Sequence, residues 1–201
     1  TAVIRSGGYV VKNASVRIVP KQNGQEIRYS VSDENVRTAG GIPVFGLYPD
    51  WLNTVEVEYD RVFNGKTEHF SDRYQLYAAP VFLRSNGTPG QTHTTFNVKV
   101  LKMDPAFKDR LYFINNLIPT PPDASRVVWN NPMGGALEWA FGPENAIVDS
   151  TGTVRWYLNP DVEMYDPDQP YKAGIMMGFE QTADGGLLFG YGQRYAKYDM
   201  T

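Results

Sequence analysis

A chain of 201 residues, 42% hydrophobic and 20% charged, is long enough to bury roughly 70% of the surface its unfolded form exposes, so it needs no covalent staples. A formal net charge of −3 with scattered lysines and arginines supplies none of the basic footprint a nucleic-acid partner demands, and no apolar run approaches the length that crosses a bilayer. The lack of cysteine excludes disulfides, thiolate metal sites and a cysteine nucleophile within this span, while leaving the compartment open.

Thirteen tyrosines, ten phenylalanines and four tryptophans favour strands, and the sequence predicts an all-β chain with little helical period. The opening "TAVIRSGGYVV" lacks the charged and apolar regions of a signal peptide and an initiator methionine. The numbering is therefore expected to begin after processing or trimming. Residues 1–104 read as a β-sandwich domain, with turn residues every eight to twelve positions. Its strands are "GYVVKN", "ASVRIVPK" and "IRYSVS", then "VEVEYDRVFNGKTEHFSDRYQLY", "PVFLRS" and "TTFNVKVLKM".

In the longest segment Val55, Val57 and Tyr59 alternate with Glu56, Glu58 and Asp60, which separates apolar from charged groups across a pleat. Asn64-Gly65 supplies the positive φ angles of a tight hairpin. Residues 40–55, "GGIPVFGLYPDWLNTV", are rich in glycine, proline and aromatics and read as a packed loop leading into the Val55 strand. "TTFNVKVLKM" is expected to line up Phe96, Val98 and Val100 on one face.

Asp104-Pro105 and the prolines at 119, 121 and 122 place the domain junction near residue 104. Residues 105–201 then read as the start of a β-propeller, a first blade and an incomplete second unit. "RLYFINN" is a candidate strand. "NAIVDSTGTVRWYL" gives a strand, the turn Asp149 to Gly152, and a return strand with Val154, Trp156 and Leu158 on one face. "GIMMGFEQTADGGLLFGYGQRYAKYDMT" gives three more strands, parted by Ala183 to Gly186 and Gly190 to Gly192.

Phe141-Gly142 and Phe189-Gly190 lie 48 residues apart, and Asp149 and Asp199 lie 50 apart. Periods of about 40 to 50 residues belong to propeller blades, in which each sheet covers its neighbour's apolar face. The chain halts where the first copy has its turn, so it is expected to be the N-terminal piece of a longer protein.

"GGIPVFGLYPDWLNTVEVEY", "FNGK", "NVKVLKMDPAFKDRLYFINN", "WNNPMGGALEWAF" and "DSTGTVRWYLNP" together resemble the bacterial arylsulfate sulfotransferases that work independently of the nucleotide sulfate donor. The resemblance covers nearly the whole chain. It implies an N-terminal β-sandwich followed by a six-bladed propeller, a removed export signal, a periplasmic location and a homodimer. It also implies transfer of a sulfuryl group from a phenolic sulfate ester to a phenol acceptor, in two steps through a sulfated histidine, with no cofactor.

In-line attack on sulfur builds negative charge on the leaving phenolate. Such a site needs a histidine nucleophile, cationic groups around the sulfuryl oxygens and a proton donor. This span holds only His69 and His93, each of which reads as a solvated residue on or beside a strand, and neither matches the family's nucleophile in context. No catalytic residue is assigned here, substrate-binding residues stay unknown, and the histidine and arginine cluster is expected in later blades. The span alone is expected to be catalytically silent.

Other features have ordinary readings. Asp161, Glu163, Asp166 and Asp168 are interrupted by Pro160, Pro167 and Pro170 and lack calcium-loop spacing, so they read as a solvated loop and no metal site is assigned. Gly190-Tyr191-Gly192 reads as a turn, because Tyr195 stands where a nucleotide fingerprint needs glycine. Trp129, Asn130 and Asn131 before a glycine pair are candidate pocket lining, although Trp129 and Trp139 fit better as filling between sheets. Arg126, Arg155 and Arg194 could bind an anion; lone strand arginines more often cover a sheet or pair with an acid. Asn13-Ala14-Ser15 and Asn86-Gly87-Thr88 fit the glycosylation pattern and would be accidental in a bacterial protein.

Two other classes stand beside the enzyme. One is an exported β-sandwich binding module that uses a planar row of exposed aromatics. The other is a structural propeller without a downstream histidine and arginine cluster.

Overall fold

The computed structural model describes residues 1–80, 82–84, 92–94, 98–116, 144–158, 176–191 and 194–198. In chain order the first part holds β1 (Ala2–Arg5), β2 (Val10–Ile18), β3 (Ile27–Val31), helix α1 (Asp33–Ala39), β4 (Gly41–Val44), β5 (Trp51–Phe63) and β6 (Lys66–Ala78). Short strands β7 (Phe82–Arg84) and β8 (Thr92–Thr94) pair with each other. After a 3-10 turn at Pro105–Phe107 come β9 (Tyr112–Asn116), β10 (Glu144–Val148), β11 (Val154–Leu158), β12 (Met176–Gln181), β13 (Leu187–Tyr191) and β14 (Arg194–Tyr198). The described sheets are antiparallel, so the all-β expectation holds, with one short helix added.

The main sheet runs β3-β2-β5-β6. Its register follows from the alternation in β5: Val55 and Val57 are fully buried and face Val16 and Ile18 across the ladder, in a core cluster that takes in Ile42 and Val44 of β4. Asn64 and Gly65 adopt φ of 50° and 73° and close β5 onto β6, as the hairpin reading expects.

The two expected strands "GYVVKN" and "ASVRIVPK" are one strand with a bulge. Asn13 sits at φ 51°, and the register against β5 shifts between Lys12 and Ser15. Asparagine tolerates this left-handed region better than other side chains. The extra residue changes the phase, so that Val11 on one side and Ala14, Val16 and Ile18 on the other all reach the core. Asn13 is anchored by its N–H to Asp33 Oδ1 (3.2 Å) and by Nδ2 to Asp60 Oδ2 (2.8 Å).

Helix α1, absent from the sequence reading, has local signals only. Ser32 Oγ accepts from Asn35 N at 3.1 Å, Asp33 and Glu34 occupy the first turn, and Gly40 ends it at φ 67°. With Val36 as its one buried residue, seven residues are too few to print a period. Ser32→Ala is expected to cost about 1 kcal/mol, read as a shift of the urea midpoint at constant slope.

The loop expected over residues 40–55 contains β4, which pairs with β1. Gly41 and Pro43 read as breakers, yet Gly41 is required by close approach: a Cβ there would stand 2.3 Å from the Ile4 carbonyl oxygen. Pro43 lacks a ladder donor and lies on this short two-stranded sheet, where its carbonyl accepts from Tyr29 Oη at 3.1 Å. The strand expected over 94–103 is displaced. Residues 98–100 are not strand, Val100 is exposed, and Phe96 lies outside the described residues.

Tyr59 Oη donates to Asp72 Oδ2 at 2.9 Å on the inner face of β5 and β6. Burial first, and then the hydrogen bond to Asp72 and its charge, push the Tyr59 phenol up to about 12. The folded form therefore holds this proton more tightly than the unfolded chain, whose phenol titrates near 10.0. Its stabilisation is full below pH 10, falls between pH 10 and about 12, and falls no further above. Ultraviolet titration of Tyr59→Phe should lose one phenolate that appears near pH 12.

The second part forms two three-stranded sheets, ordered β11-β10-β9 and β12-β13-β14. They stack face to face through Phe113 on Phe179 (4.9 Å between ring centres) and Trp156 by Tyr198 (6.2 Å), with Phe189 stacked on Phe179 within the second sheet (4.8 Å). Strands therefore meet in chain order, β9 over β12 and β11 over β14. The Phe-Gly spacing of 48 residues would instead have matched β10 to β14. The expected single face for Val154, Trp156 and Leu158 is broken by a bulge: Ile147 faces Trp156 while Val148 faces Val154, which leaves Arg155 as the extra residue. Trp156 and Leu158 join the inter-sheet core, whereas Val154 packs with Ala146, Val148 and Tyr157 on the opposite face.

Candidate functional site

The most organised polar site lies where the first sheet system meets β10 and β11. The turn between those strands is fixed by Asp149, whose N–H bonds Thr153 O at 2.9 Å and whose carbonyl accepts from Gly152 N at 2.9 Å. Asp149 Oδ1 accepts from Thr151 N (2.9 Å), Thr151 Oγ1 (2.6 Å) and Thr153 N (3.1 Å). Gly152 takes φ 85°, and a Cβ there would lie 2.5 Å from the Val98 carbonyl oxygen. Glycine is needed on both counts.

The remaining oxygen, Asp149 Oδ2, pairs with Arg155 Nη1 at 2.7 Å, with both side chains at 1% exposure or less. The bulge turns Arg155 out of the strand's alternation and toward the first sheet system. There Nε donates to Gly46 O (2.9 Å), Nη1 donates to Gln25 O (3.0 Å), and the guanidinium carbon stands 3.7 Å from the Tyr48 ring centre. A buried pair of this kind is favoured where its other hydrogen-bonding groups are matched; Nε and Nη1 are, and Nη2 has no hydrogen-bond partner among the described residues.

Tyr48 is fully buried. Its Oη donates to Gln25 O at 2.8 Å, and its N–H reaches Asn53 Oδ1 at 2.8 Å, while Asn53 Nδ2 returns to Tyr48 O and Trp51 O, both at 3.0 Å. Burial pushes the Tyr48 phenol up, opposed by the Arg155 charge and reinforced by Asp149. Gln25 also accepts from Ser150 N through Oε1 (2.7 Å) and donates from Nε2 to Arg110 O (3.3 Å).

Beside this junction opens a cleft of about 620 Å³, lined by Leu47, Leu76, Tyr77, Trp156, Tyr157 and Tyr198 among others. Its walls mix these side chains with polar groups, Thr1, Gln75 and Arg155 among them, and none of its described lining residues places a nucleophile beside a base.

His69 stands apart from the junction. Its side chain is 66% exposed, with Nδ1 2.9 Å from Asp60 Oδ1, as its surface reading expects. The Asn13 amide, and after it His69, hold the Asp60 carboxyl below its usual range. His93 lies on β8, and its side chain is outside the described residues, as are Arg126, Trp129, Asn130, Asn131, Trp139, Asn86 and the acidic run Asp161 to Asp168. Gly190 and Tyr191 belong to β13 rather than to a turn, and Gly192 is not described. Arg194 opens β14. Arg155 pairs with a neighbouring acid, the ordinary reading. Among the described residues no group of three or more His, Cys, Asp or Glu is placed to hold a metal, and no helix is long and apolar enough to cross a membrane.

Sequence reasoning missed Gln25, Gly46, Tyr48 and Asn53. The only sequence signal was the density of glycine and aromatic residues around Tyr48, which marked a packed loop without naming its partner.

Comparison with known proteins finds both parts together in the same relatives. A family model described as the arylsulfotransferase Ig-like domain matches residues 1–79, and one described as arylsulfotransferase (ASST) matches residues 97–201. Arylsulfate sulfotransferase AssT of Lelliottia amnigena is 31% identical over 216 aligned positions, and that of Escherichia coli O6:H1 (strain CFT073) is 30% identical over 216. Each alignment covers 100% of this chain and 35% of the relative, so the chain spans about a third of the length of these curated relatives. With one family model over the first sheet system and a second over more than half of all residues, the chain belongs to the arylsulfotransferase family.

Proposed function

We propose that this chain supplies the N-terminal part of an arylsulfate sulfotransferase, and that its role is to build and brace the body on which catalysis occurs. In this reading residues 1–104 form a β-sandwich and residues 105–201 begin a six-bladed propeller, exported to the periplasm and assembled as a homodimer. The complete enzyme moves a sulfuryl group from a phenolic sulfate to a histidine, then from that sulfohistidine to a phenol acceptor. Each transfer needs cations around the sulfuryl oxygens and a proton for the departing phenolate.

The observation that carries the reading is the alignment of the whole chain with 35% of AssT from two organisms. Its chemistry fits a supporting role. His69 is solvated, its partner Asp60 is a half-buried residue of β5 tied to Asn13, and the one buried arginine described at the junction is already committed to Asp149 and main-chain oxygens. Turnover of phenyl sulfate by the longer polypeptide, and none by residues 1–201 alone, is the expected result. Activity in the span alone would sink the reading.

The binding-module alternative fares worse. It needs a planar aromatic row, but the exposed rings on the long hairpin are split between its ends, Trp51 and Tyr77 at one and Phe63 with Tyr9 at the other. Those ends are about 40 Å apart at the rise of an extended strand. A glycan-array screen without a hit is the expected outcome.

A further inference from the structure

We propose that Arg155 is a latch, and the surface made by Gln25, Gly46 and Tyr48 its guanidinium receptor, and that this contact makes the first sheet system and the β9–β11 sheet one cooperative folding unit. It goes beyond the family assignment, since it concerns how two parts of this chain are coupled whatever the reaction.

The receptor has the chemistry of a cation site built from main chain. Two carbonyl oxygens, Gly46 O and Gln25 O, accept from two different guanidinium nitrogens, the Tyr48 ring supplies a face, and Asp149 supplies the opposite charge. Planar donors spread over a fork match such a set; a lysine ammonium does not. The site also depends on missing side chains. A Cβ on Gly24 would stand 2.3 Å from Tyr48 Oη, and one on Gly46, at φ 78°, would stand 2.8 Å from Ile27 Cδ1.

A comparison inside the chain separates latch from turn. The turn joining β12 to β13 repeats the Asp149 turn: Thr182 N bonds Gly186 O, and Gly185 N bonds Thr182 O, both at 2.9 Å. Counting on from each turn, the position of Arg155 is taken there by Leu188. The turn closes without an arginine, so Arg155 serves the contact with the first sheet system. Gln25 reinforces the same contact through Ser150 N and Arg110 O.

The test is chemical rescue in the full chain. Arg155→Ala takes the donor from Gly46 O, leaves Gln25 O with Tyr48 Oη alone, bares an aromatic face and an unmatched carboxylate, and should lower the melting midpoint by roughly 10 °C. Hydrogen exchange by mass spectrometry should show peptides from β2–β5 and from β10–β11 opening together in the parent and separately in the variant. Ethylguanidinium, below denaturing concentration, should restore part of the midpoint and the joint opening, whereas ethylammonium at the same concentration should not. Arg155→Lys, which keeps charge and bulk, covers the case in which the alanine variant fails to fold, and it too should open in two steps. Separate opening in the parent, joint opening in Arg155→Lys at the parent's midpoint, or equal rescue by the two cations would overturn the proposal.

Discussion

Asp149→Ala is expected to destabilise the chain by about 3–5 kcal/mol, because it strands a buried guanidinium without its counter-charge. The same substitution removes the acceptor for Thr151 N, Thr151 Oγ1 and Thr153 N, so the turn between β10 and β11 loses its internal ties. Asp149→Asn retains an oxygen for those donors but not the charge, and should fall between alanine and parent. The urea midpoint measures both. An unchanged midpoint in Asp149→Ala would mean that solvent already reaches Arg155, contrary to its 1% side-chain exposure.

Gly152→Ala should cost at least about 2 kcal/mol from two independent sources. An alanine at φ 85° pays the left-handed penalty of roughly 1 kcal/mol or more. Its Cβ would also press on the Val98 carbonyl oxygen at 2.5 Å, where neither partner is a flexible side-chain tip. Gly185→Ala is the internal control. It has a similar φ of 86° but nothing within 4 Å of its Cβ, so it carries the conformational cost alone. If the two variants melt at the same temperature, the packing of residue 98 against the turn is not a source of strain.

These contrasts also explain what could be read in the chain beforehand. The β5–β6 hairpin was legible because alternation persists over many residues and Asn64-Gly65 has few other uses. Strands β9 to β14 were legible because apolar runs alternate with polar glycine turns. The helix was not, since its single buried residue, Val36, leaves no repeat to detect. Strand β4 was hidden by Gly41 and Pro43, which act locally as breakers and are accepted only because β1 lies alongside. Bulges at Asn13 and Arg155 defeated any reading by strict alternation. The junction was least legible of all. Its acceptors at Gly46 and Gln25 are main-chain oxygens, which any residue type would offer, and they lie 109 and 130 positions from Arg155. Asp149, a short step from its partner, showed only as the start of a turn, and Tyr48 only as part of a loop dense in glycine and aromatics.

The turn of Asp149 joins the second and third strands of its sheet, whereas the turn that leads to Leu188 joins the first and second strands of the other. The two sheets are therefore out of step by one strand and are not interchangeable. A chimera that set β12–β14 in the place of β9–β11 would carry Leu188 on a middle strand, away from the two carbonyl oxygens and the tyrosine ring that Arg155 reaches from an edge strand, and would unhook the first sheet system.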